Sequence, residues 1–449
     1  MLATTYPPGS HQCSNRDSLQ QCNLERLHLP QESLGAFLVK AKNSHCLHCA
    51  AELSSPLLDL GRVPPCNRFE TEPLAESLRF PFAVAQCSAC GAVQLDPLPL
   101  VDDLRPRVPW ISYSEPHLHM DAVVEALLPI IPSEVRSSLT VGPFDAPLAT
   151  RLAMRGIESA SVPLPDSFPP AAPSSFPYLE TYQAKLRRSV TTPLNPQPGR
   201  SHLVICRYLL EHSHDPMESV RALVDLATAD GLVVVEVPDS SKFLATRDYS
   251  FLWEEHVSYF TEDTLIRLLT RAGCNVVALW RYPGRLEDAL VAVMRPAVAN
   301  QRRRPIVSPS VVGGSAFEAY AAAFPNVRAA YADVLASARR SGKKVAIFGA
   351  GHQSVMFVNA LRLQGEIAIM VDDDPRKHGY FAPGTGIPIV SSMAMLADVD
   401  LALCLLGVSP HAEAKVMEKC AGFSARGGRF FSLFPGSGLG TLVDHHRCA

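Results

Sequence analysis

Cysteines 46, 49, 87 and 90 stand as two pairs, Cys46-Leu-His-Cys49 and Cys87-Ser-Ala-Cys90, and nothing else in the chain restricts its folding as much. Two intervening residues let a backbone turn present both sulfurs to one metal at ~2.3 Å, so two such pairs make a closed tetrahedral zinc site. Coincidence, a redox pair and an iron–sulfur cluster are the alternatives. Gly91, directly after the second pair, favours the tight turn of a zinc knuckle. Four thiolates leave no coordination position open, so a metal here would fold its module rather than do chemistry. His45 and His48 are spare ligand candidates, expected to be exposed bystanders. Of the 12 cysteines, Cys206, Cys274 and Cys404 stand singly in apolar runs, as reduced buried thiols do, and Cys13 and Cys22 read as incidental.

A length of 449 residues implies two to four domains, because one hydrophobic core stops growing well before that size. With 47% hydrophobic and 19% charged residues and a net charge of -3, there is ample material for cores and no charge excess to attract nucleic acid or anionic lipid. The dense basic run Arg302-Arg303-Arg304 reads as a solvated linker between domains rather than a binding patch. No segment approaches the ~20 apolar residues of a membrane span, and the N-terminus lacks a basic start followed by an apolar core. These features predict a cytoplasmic enzyme acting on a small molecule, with no nucleic-acid or membrane partner. They leave the oligomeric state unread.

Residues 1–43 lack sustained periodicity and read as a disordered leader; 44–125 form the zinc-binding module and a connecting helix. From Leu139-Thr140-Val141 the pattern becomes strand and helix in alternation. A helix is predicted over Leu148–Arg155, strands over Ile157–Val162 and Leu203–Cys206, a helix over Pro216–Thr228 and a strand over Leu232–Val237, with a Pro- and Ser-rich interruption at Leu164–Pro177. That is the rhythm of a doubly wound sheet over 126–298. After the linker and a helix over Ala316–Arg340, a second α/β unit occupies 310–449. Val345–Phe348 runs into Gly349-Ala350-Gly351, and a helix over Val355–Leu363 and strands at Ile367–Val371, Leu401–Leu406 and Arg429–Phe434 follow.

Several segments together resemble the zinc-containing sugar C-methyltransferases. Leu60-Gly61-x-x-Pro64-Pro65-x-Asn67-Arg68-Phe69 and Gln86-Cys87-x-x-Cys90-Gly91-x-Val93-Gln94-Leu95 look like that family's zinc module. Trp253-Glu254-Glu255-His256-Val257-Ser258-Tyr259-Phe260 is similar to its His-Glu-His-x-x-Tyr-Phe signature, with Glu254 replacing the first histidine. Gly349-Ala350-Gly351, Val371-Asp372-Asp373-Asp374-Pro375-x-Lys377-x-Gly379 and Pro383-Gly384-Thr385-x-Ile387-Pro388-Ile389 resemble its C-terminal domain. The resemblance implies a Rossmann-like class I methyltransferase domain between a small zinc-binding module and a second Rossmann-like α/β domain. It also implies methyl transfer from S-adenosylmethionine to a carbon next to a ketone, on a nucleotide-linked deoxysugar, with structural Zn(2+).

Such chemistry needs a base for an acidic C–H, a partner for the developing enolate and an in-line methyl donor. By resemblance His256 is the base, Glu255 fixes its ring or binds sugar, and His212 meets the carbonyl oxygen; Tyr113 corresponds to a family tyrosine, and Tyr259 is placed against substrate. Read from the residues alone, His256 suits a structural role as well, and His212 and His214 could simply end a strand and cap a helix with Asp215. In the C-terminal domain Gly351, His352 and Lys377 are the expected nucleotide-sugar contacts, with a surface loop the other reading of Lys377. Gly349-Ala350-Gly351 with Asp372 downstream also resembles a dinucleotide fingerprint, but Ser354 replaces the third glycine.

The cofactor turn after the first strand reads Val141-Gly142-Pro143-Phe144-Asp145-Ala146-Pro147. It keeps Gly142 and Asp145 as expected cofactor contacts while two prolines stiffen it. The acid that ends the second strand and grips ribose in this class is absent from Ser161-Val162-Pro163-Leu164-Pro165. Three readings follow: a C-methyltransferase, a relative that keeps proton transfer without methyl transfer, and a non-catalytic partner protein.

Overall fold

A computed structural model describes residues 45–73, 78–104, 115–162, 186–194, 201–297 and 315–447. The leader, Tyr113, the Pro- and Ser-rich interruption and the Arg302–Arg304 run lie outside the described residues.

The first body is a small antiparallel sheet of β1 (Leu58–Val63), β2 (Phe80–Gln86) and β3 (Val93–Leu95). Alternation along β1 buries Leu58, Leu60 and Val63, as a one-sided sheet requires. Its fourth strand is borrowed from the middle of the chain: Ser258–Tyr259 pairs antiparallel with β3. The zinc module and the signature segment are therefore one sheet.

The middle body holds β4 (Ser137–Thr140), β5 (Glu158–Ser161), β6 (Ser201–Arg207), β7 (Ala227–Asp239), β8 (Ser258–Tyr259), β9 (Cys274–Tyr282) and β10 (Asp288–Pro296). All but β8 form a sheet in the order β5-β4-β6-β7-β10-β9. The first four run parallel, whereas β10 is antiparallel to both β7 and β9. This is the doubly wound sheet of a class I methyltransferase, with one reversed strand, β10, inserted beside the edge strand β9. Val204 and Cys206 face helices Pro216–Leu226 and Glu262–Arg271, while Leu203 and Ile205 face helices Met120–Leu127 and Ala146–Ala153. Helix Met120–Leu127 thus packs on the middle sheet, because Met120, Val123, Val124 and Leu127 put one apolar stripe against it. A boundary at residue 125 would cut that helix.

The third body is an all-parallel sheet, β13-β12-β11-β14-β15, built from β11 (Lys344–Phe348), β12 (Ile369–Val371), β13 (Ile389–Val390), β14 (Leu401–Leu406) and β15 (Arg429–Ser432). Helix Ala316–Arg340, expected over these residues, starts at a capping box of Ser315 and Glu318. Its Tyr320 hydroxyl donates to the Asp248 carbonyl at 3.0 Å, and the Tyr249 hydroxyl donates to the Tyr320 carbonyl at 2.7 Å. One hydrophobic core runs from β1–β3 through Phe243–Tyr259 into this helix and β11. The signature segment lies inside that shared core, so all three bodies fix its position. Among the described residues no helix is long and apolar enough to cross a membrane.

Candidate active site

Each cysteine pair folds as a knuckle. The Cys46 amide donates to Ala51 and its carbonyl accepts from Ala50; Cys87 makes the same two bonds with Ala92 and Gly91. Both knuckles turn on a left-handed residue, Ala50 at φ 60° and Gly91 at φ 76°. The sulfurs of Cys46 and Cys90, and of Cys49 and Cys87, are 3.5 Å apart, and all four lie within 4.8 Å of one another. A zinc tetrahedron with ~2.3 Å bonds has sulfur–sulfur edges of about 3.8 Å, so the set fits. Burial and the neighbouring sulfurs push the Cys49 thiol up to about 11, and four thiolates in such a place require a cation. His45 is exposed as expected. His48 is buried instead: its ring packs on Phe260 and its Nε2 lies 3.1 Å from Ser258 Oγ, because β8 closes over the knuckle.

The signature loop is braced from every side. Glu254, where the family motif has histidine, accepts the Cys66 amide at 2.5 Å, and burial pushes its carboxyl up to about 7. Glu255 is buried and accepts from Asn67 Nδ2 at 3.4 Å. The run from Pro64 to Phe69 is therefore the zinc module's grip on the two glutamates. The Tyr259 hydroxyl accepts the Trp253 amide at 3.1 Å and donates to the Trp253 carbonyl at 3.3 Å. Both sides of that hydroxyl are spent on the loop, so Tyr259 holds the turn rather than meeting substrate.

His256 emerges half-buried from this turn. Its ring stands edge-on to His212, with centroids 4.7 Å apart, and 4.9 Å from Trp253, which stacks on His352 at 4.2 Å. The sheet edge thus brings His212 and His256 together, and the C-terminal domain adds His352. Burial, with His212 and His352 alongside, pushes His256 well below the usual imidazole range. Burial likewise pushes His212 down to about 3 and His352 to about 4, so all three rings are neutral at physiological pH. His212 Nδ1 is buried and has no hydrogen-bond partner among the described residues.

Sequence reasoning missed Glu211. Its carboxyl is 1% exposed, and neither oxygen has a hydrogen-bond partner among the described residues. Burial and the carboxyls of Glu115, Glu287 and Glu236 push it well above the usual range. A signal existed: an ionisable residue between Leu210 and His212, at the end of an apolar strand. Asp215 accepts the Glu218 amide at 3.0 Å and caps the following helix, as read from the sequence.

The expected cofactor contacts turn inward. Asp145 is 1% exposed; Oδ2 accepts the amides of Val141 and Gly142 and Oδ1 that of Arg207, each at 2.8 Å. A carboxylate holding three backbone donors braces β4 to β6 and has nothing left for a ligand. A Cβ on Gly142 would sit 2.6 Å from Leu209 Cδ1, so glycine is needed there for a leucine's approach. The buried Arg207 guanidinium crosses the same strand ends, pairing with Glu236 and donating to the Phe144 and Pro116 carbonyls.

In the C-terminal domain Gly351 is the N-cap of helix His352–Leu361. Lys377 is neither a surface-loop residue nor a free ligand. Only 7% exposed, its Nζ donates to Asp372 at 2.8 Å and to the Ala350 carbonyl at 3.0 Å, while Asp372 accepts the Ala350 amide. The pair ties the glycine turn to the end of β12. Gly349, at φ 103°, is required where the chain passes Gly407, whose oxygen would lie 2.7 Å from a Cβ.

A four-cysteine module, a sheet with the class I methyltransferase strand order and a parallel α/β domain meet at one histidine-lined loop. Comparison with known proteins gives the same order along the chain: a zinc binding domain matches residues 46–99, a methyltransferase domain 156–279 and a C-methyltransferase C-terminal domain 311–435. The chain thus carries, in order, the domains matched by zinc-binding, methyltransferase and C-methyltransferase C-terminal families. The C-methyltransferase NovU of Streptomyces niveus is 27% identical over 266 residues, which cover 57% of this chain and 63% of that enzyme. Among solved structures, magnesium protoporphyrin IX methyltransferase of Synechocystis with bound S-adenosylhomocysteine aligns at a TM-score of 0.28 and 11% identity, over 40% of this chain and 83% of its own. The Burkholderia thailandensis 1,6-didemethyltoxoflavin-N1-methyltransferase aligns at 0.29 and 16%, over 40% and 80%. The fold assignment here rests on the strand order itself.

Proposed function

We propose that this protein is an S-adenosylmethionine-dependent C-methyltransferase acting on a carbon next to a ketone, on a nucleotide-linked deoxysugar. The observation that carries the reading is His256: a neutral, half-buried imidazole held rigidly where three domains meet. Its relative NovU is a C-methyltransferase, and the neighbouring solved methyltransferases hold S-adenosylhomocysteine or S-adenosylmethionine. S-adenosylmethionine, when bound, supplies the electrophilic methyl group. The chain's part is to take the proton: His256 removes hydrogen from the carbon beside the carbonyl, and the electron pair moves into the enolate. Glu255 and His212 orient the loop around that ring, and Gly351 and His352 bound the site from the C-terminal side.

The described cofactor turn does not fit the donor as the sequence expects, since Asp145 is spent on three backbone amides and Leu209 packs against Gly142. This favours a second reading, proton transfer at the same carbon without methyl transfer. One experiment separates the two. The zinc-loaded protein is incubated in deuterated water with a panel of nucleoside-diphosphate ketodeoxysugars, with and without methyl-labelled S-adenosylmethionine. Labelled carbon on the sugar supports methyl transfer; deuterium exchange without labelling, and no donor binding at millimolar concentration, supports the second reading. His256→Ala abolishes the exchange while zinc content and folding persist, and retained exchange removes His256 from the base role.

A further inference from the structure

Beside the zinc knuckles, a second set of metal-ligating side chains converges in the described residues. One ring nitrogen each from His212 and His256 and one carboxylate oxygen of Glu211 lie within 4.8 Å of one another. All three arrive on fixed backbone. Glu211 and His212 occupy the single 3-10 turn after β6, and the Glu211 carbonyl accepts the Val257 amide at 2.8 Å, which pins that turn to the loop bearing His256.

Two features mark these groups as ligands rather than packing. First, both Glu211 oxygens and His212 Nδ1 are buried and lack a partner among the described residues, and with Glu211 ionised every one of these atoms offers a lone pair. Buried polar groups in folded proteins are ordinarily satisfied, and a cluster offering only lone pairs is satisfied by a cation. The carboxyls of Glu115, Glu287 and Glu236 act on Glu211, and the nearby Arg207 guanidinium is spent on Glu236. Second, the His212 ring is held edge-on against Trp253 and His256, with centroids 5.9 and 4.7 Å away, so its orientation is fixed by packing as that of a metal-bound histidine must be.

We propose that Glu211, His212 and His256 form a second divalent-cation site, of the borderline class that takes Zn²⁺ or Co²⁺ through two imidazoles and one carboxylate. Bonds of ~2.0–2.1 Å in a tetrahedron need ligand atoms about 3.3 Å apart, so closing from 4.8 Å asks less than about an ångström of each side chain. Unlike the four-cysteine centre, this set of three ligands leaves a fourth tetrahedral position. A cation there also occupies the lone pair that His256 offers to a C–H bond, so metal and substrate compete; this consequence alone rests on the function proposed above.

The test needs no substrate. The full chain, loaded with one zinc at the cysteines, is titrated with Co²⁺ and then with excess Zn²⁺, reading metal per chain after gel filtration and the visible spectrum of bound cobalt. The expected result is a second equivalent with a cobalt spectrum lacking thiolate charge-transfer bands. Glu211→Gln weakens the second site at least about a hundredfold and leaves the cysteine-bound zinc in place. His256→Ala, at a half-buried position, gives the same loss if Glu211→Gln folds poorly. One metal per chain under all conditions overturns the proposal, as does a second equivalent that survives both substitutions.

Discussion

Removing a single oxygen tests whether the signature loop is held from within. Tyr259→Phe keeps the ring, buried between β3 and Phe243, and deletes the hydroxyl that accepts the Trp253 amide at 3.1 Å and donates to its carbonyl at 3.3 Å. An orphaned buried N–H costs about 1–3 kcal/mol, and the longer carbonyl bond adds a few tenths, so the loss is about 2 kcal/mol. The far end of the loop stays fastened, because the Val257 amide still reaches Glu211 and its carbonyl still accepts the Leu95 amide. The penalty therefore falls on local opening of the turn. About 2 kcal/mol corresponds to roughly thirtyfold faster amide exchange. Hydrogen–deuterium exchange read by mass spectrometry on a peptide spanning 249–260 checks it. Exchange unchanged within about twofold, with a raised KM for substrate, would refute the reasoning and return Tyr259 to the substrate-binding role.

Three further outcomes follow from the same geometry. Cys87→Ser leaves three of the four thiolates, so the knuckle zinc is lost and the module opens; metal analysis and faster proteolysis within 45–104 report it, and retained zinc would show that the four sulfurs are not one site. Lys377→Met strands Asp372 and the Ala350 carbonyl, at a cost of about 3 kcal/mol read by thermal unfolding; an unchanged melting temperature with altered KM would make Lys377 a ligand after all. For His352 the sign is set by its depressed pKa. Burial holds the ring at about 4, below the ordinary 6.5, so the unfolded chain binds the extra proton between those values. Its contribution is complete above pH 6.5 and is lost as pH falls toward 4, by up to ~1.4 kcal/mol per pH unit and less here because the ring is only partly buried. His352→Gln should flatten the acid limb of melting temperature against pH; parallel limbs would contradict it.

What could be read from the sequence divides by the range of the interaction. The two knuckles, the Ala316–Arg340 helix, the Asp215 cap and the strands at Leu203–Cys206 and Leu401–Leu406 are set by residues a few positions apart, and each stands as expected. The inward hydrogen bonds of Asp145, Lys377 and Tyr259 were not legible, because motif position says which residue type is present and not which way it turns. Asp145 is turned inward by an amide of Arg207 on β6, Lys377 by Asp372 and Ala350, and Tyr259 by a carbonyl at the start of its own loop. Strands β9 and β10 and the borrowed strand β8 carry too little periodic signal, since their partners lie elsewhere in the chain. Glu211 escaped because its distinguishing property, a carboxyl buried without a partner, exists only after folding.

The zinc module's contribution to the site follows from where its contacts land. Cys66 holds Glu254, Asn67 holds Glu255, His48 reaches Ser258, and β3 pairs with Ser258–Tyr259, so each of these anchors falls on the six residues from Glu254 to Tyr259. Nothing in that stretch is regular structure beyond a two-residue strand, and a loop of this kind left to itself would pay for order with entropy of ~1–2 kcal/mol per residue. A metal-folded module supplies the missing partners without needing a large core of its own. Zinc binding and the placement of His256 should therefore be one cooperative event: stripping the knuckle metal should raise amide exchange in 254–259 along with that in 58–95, and independent exchange of the two segments would break the link.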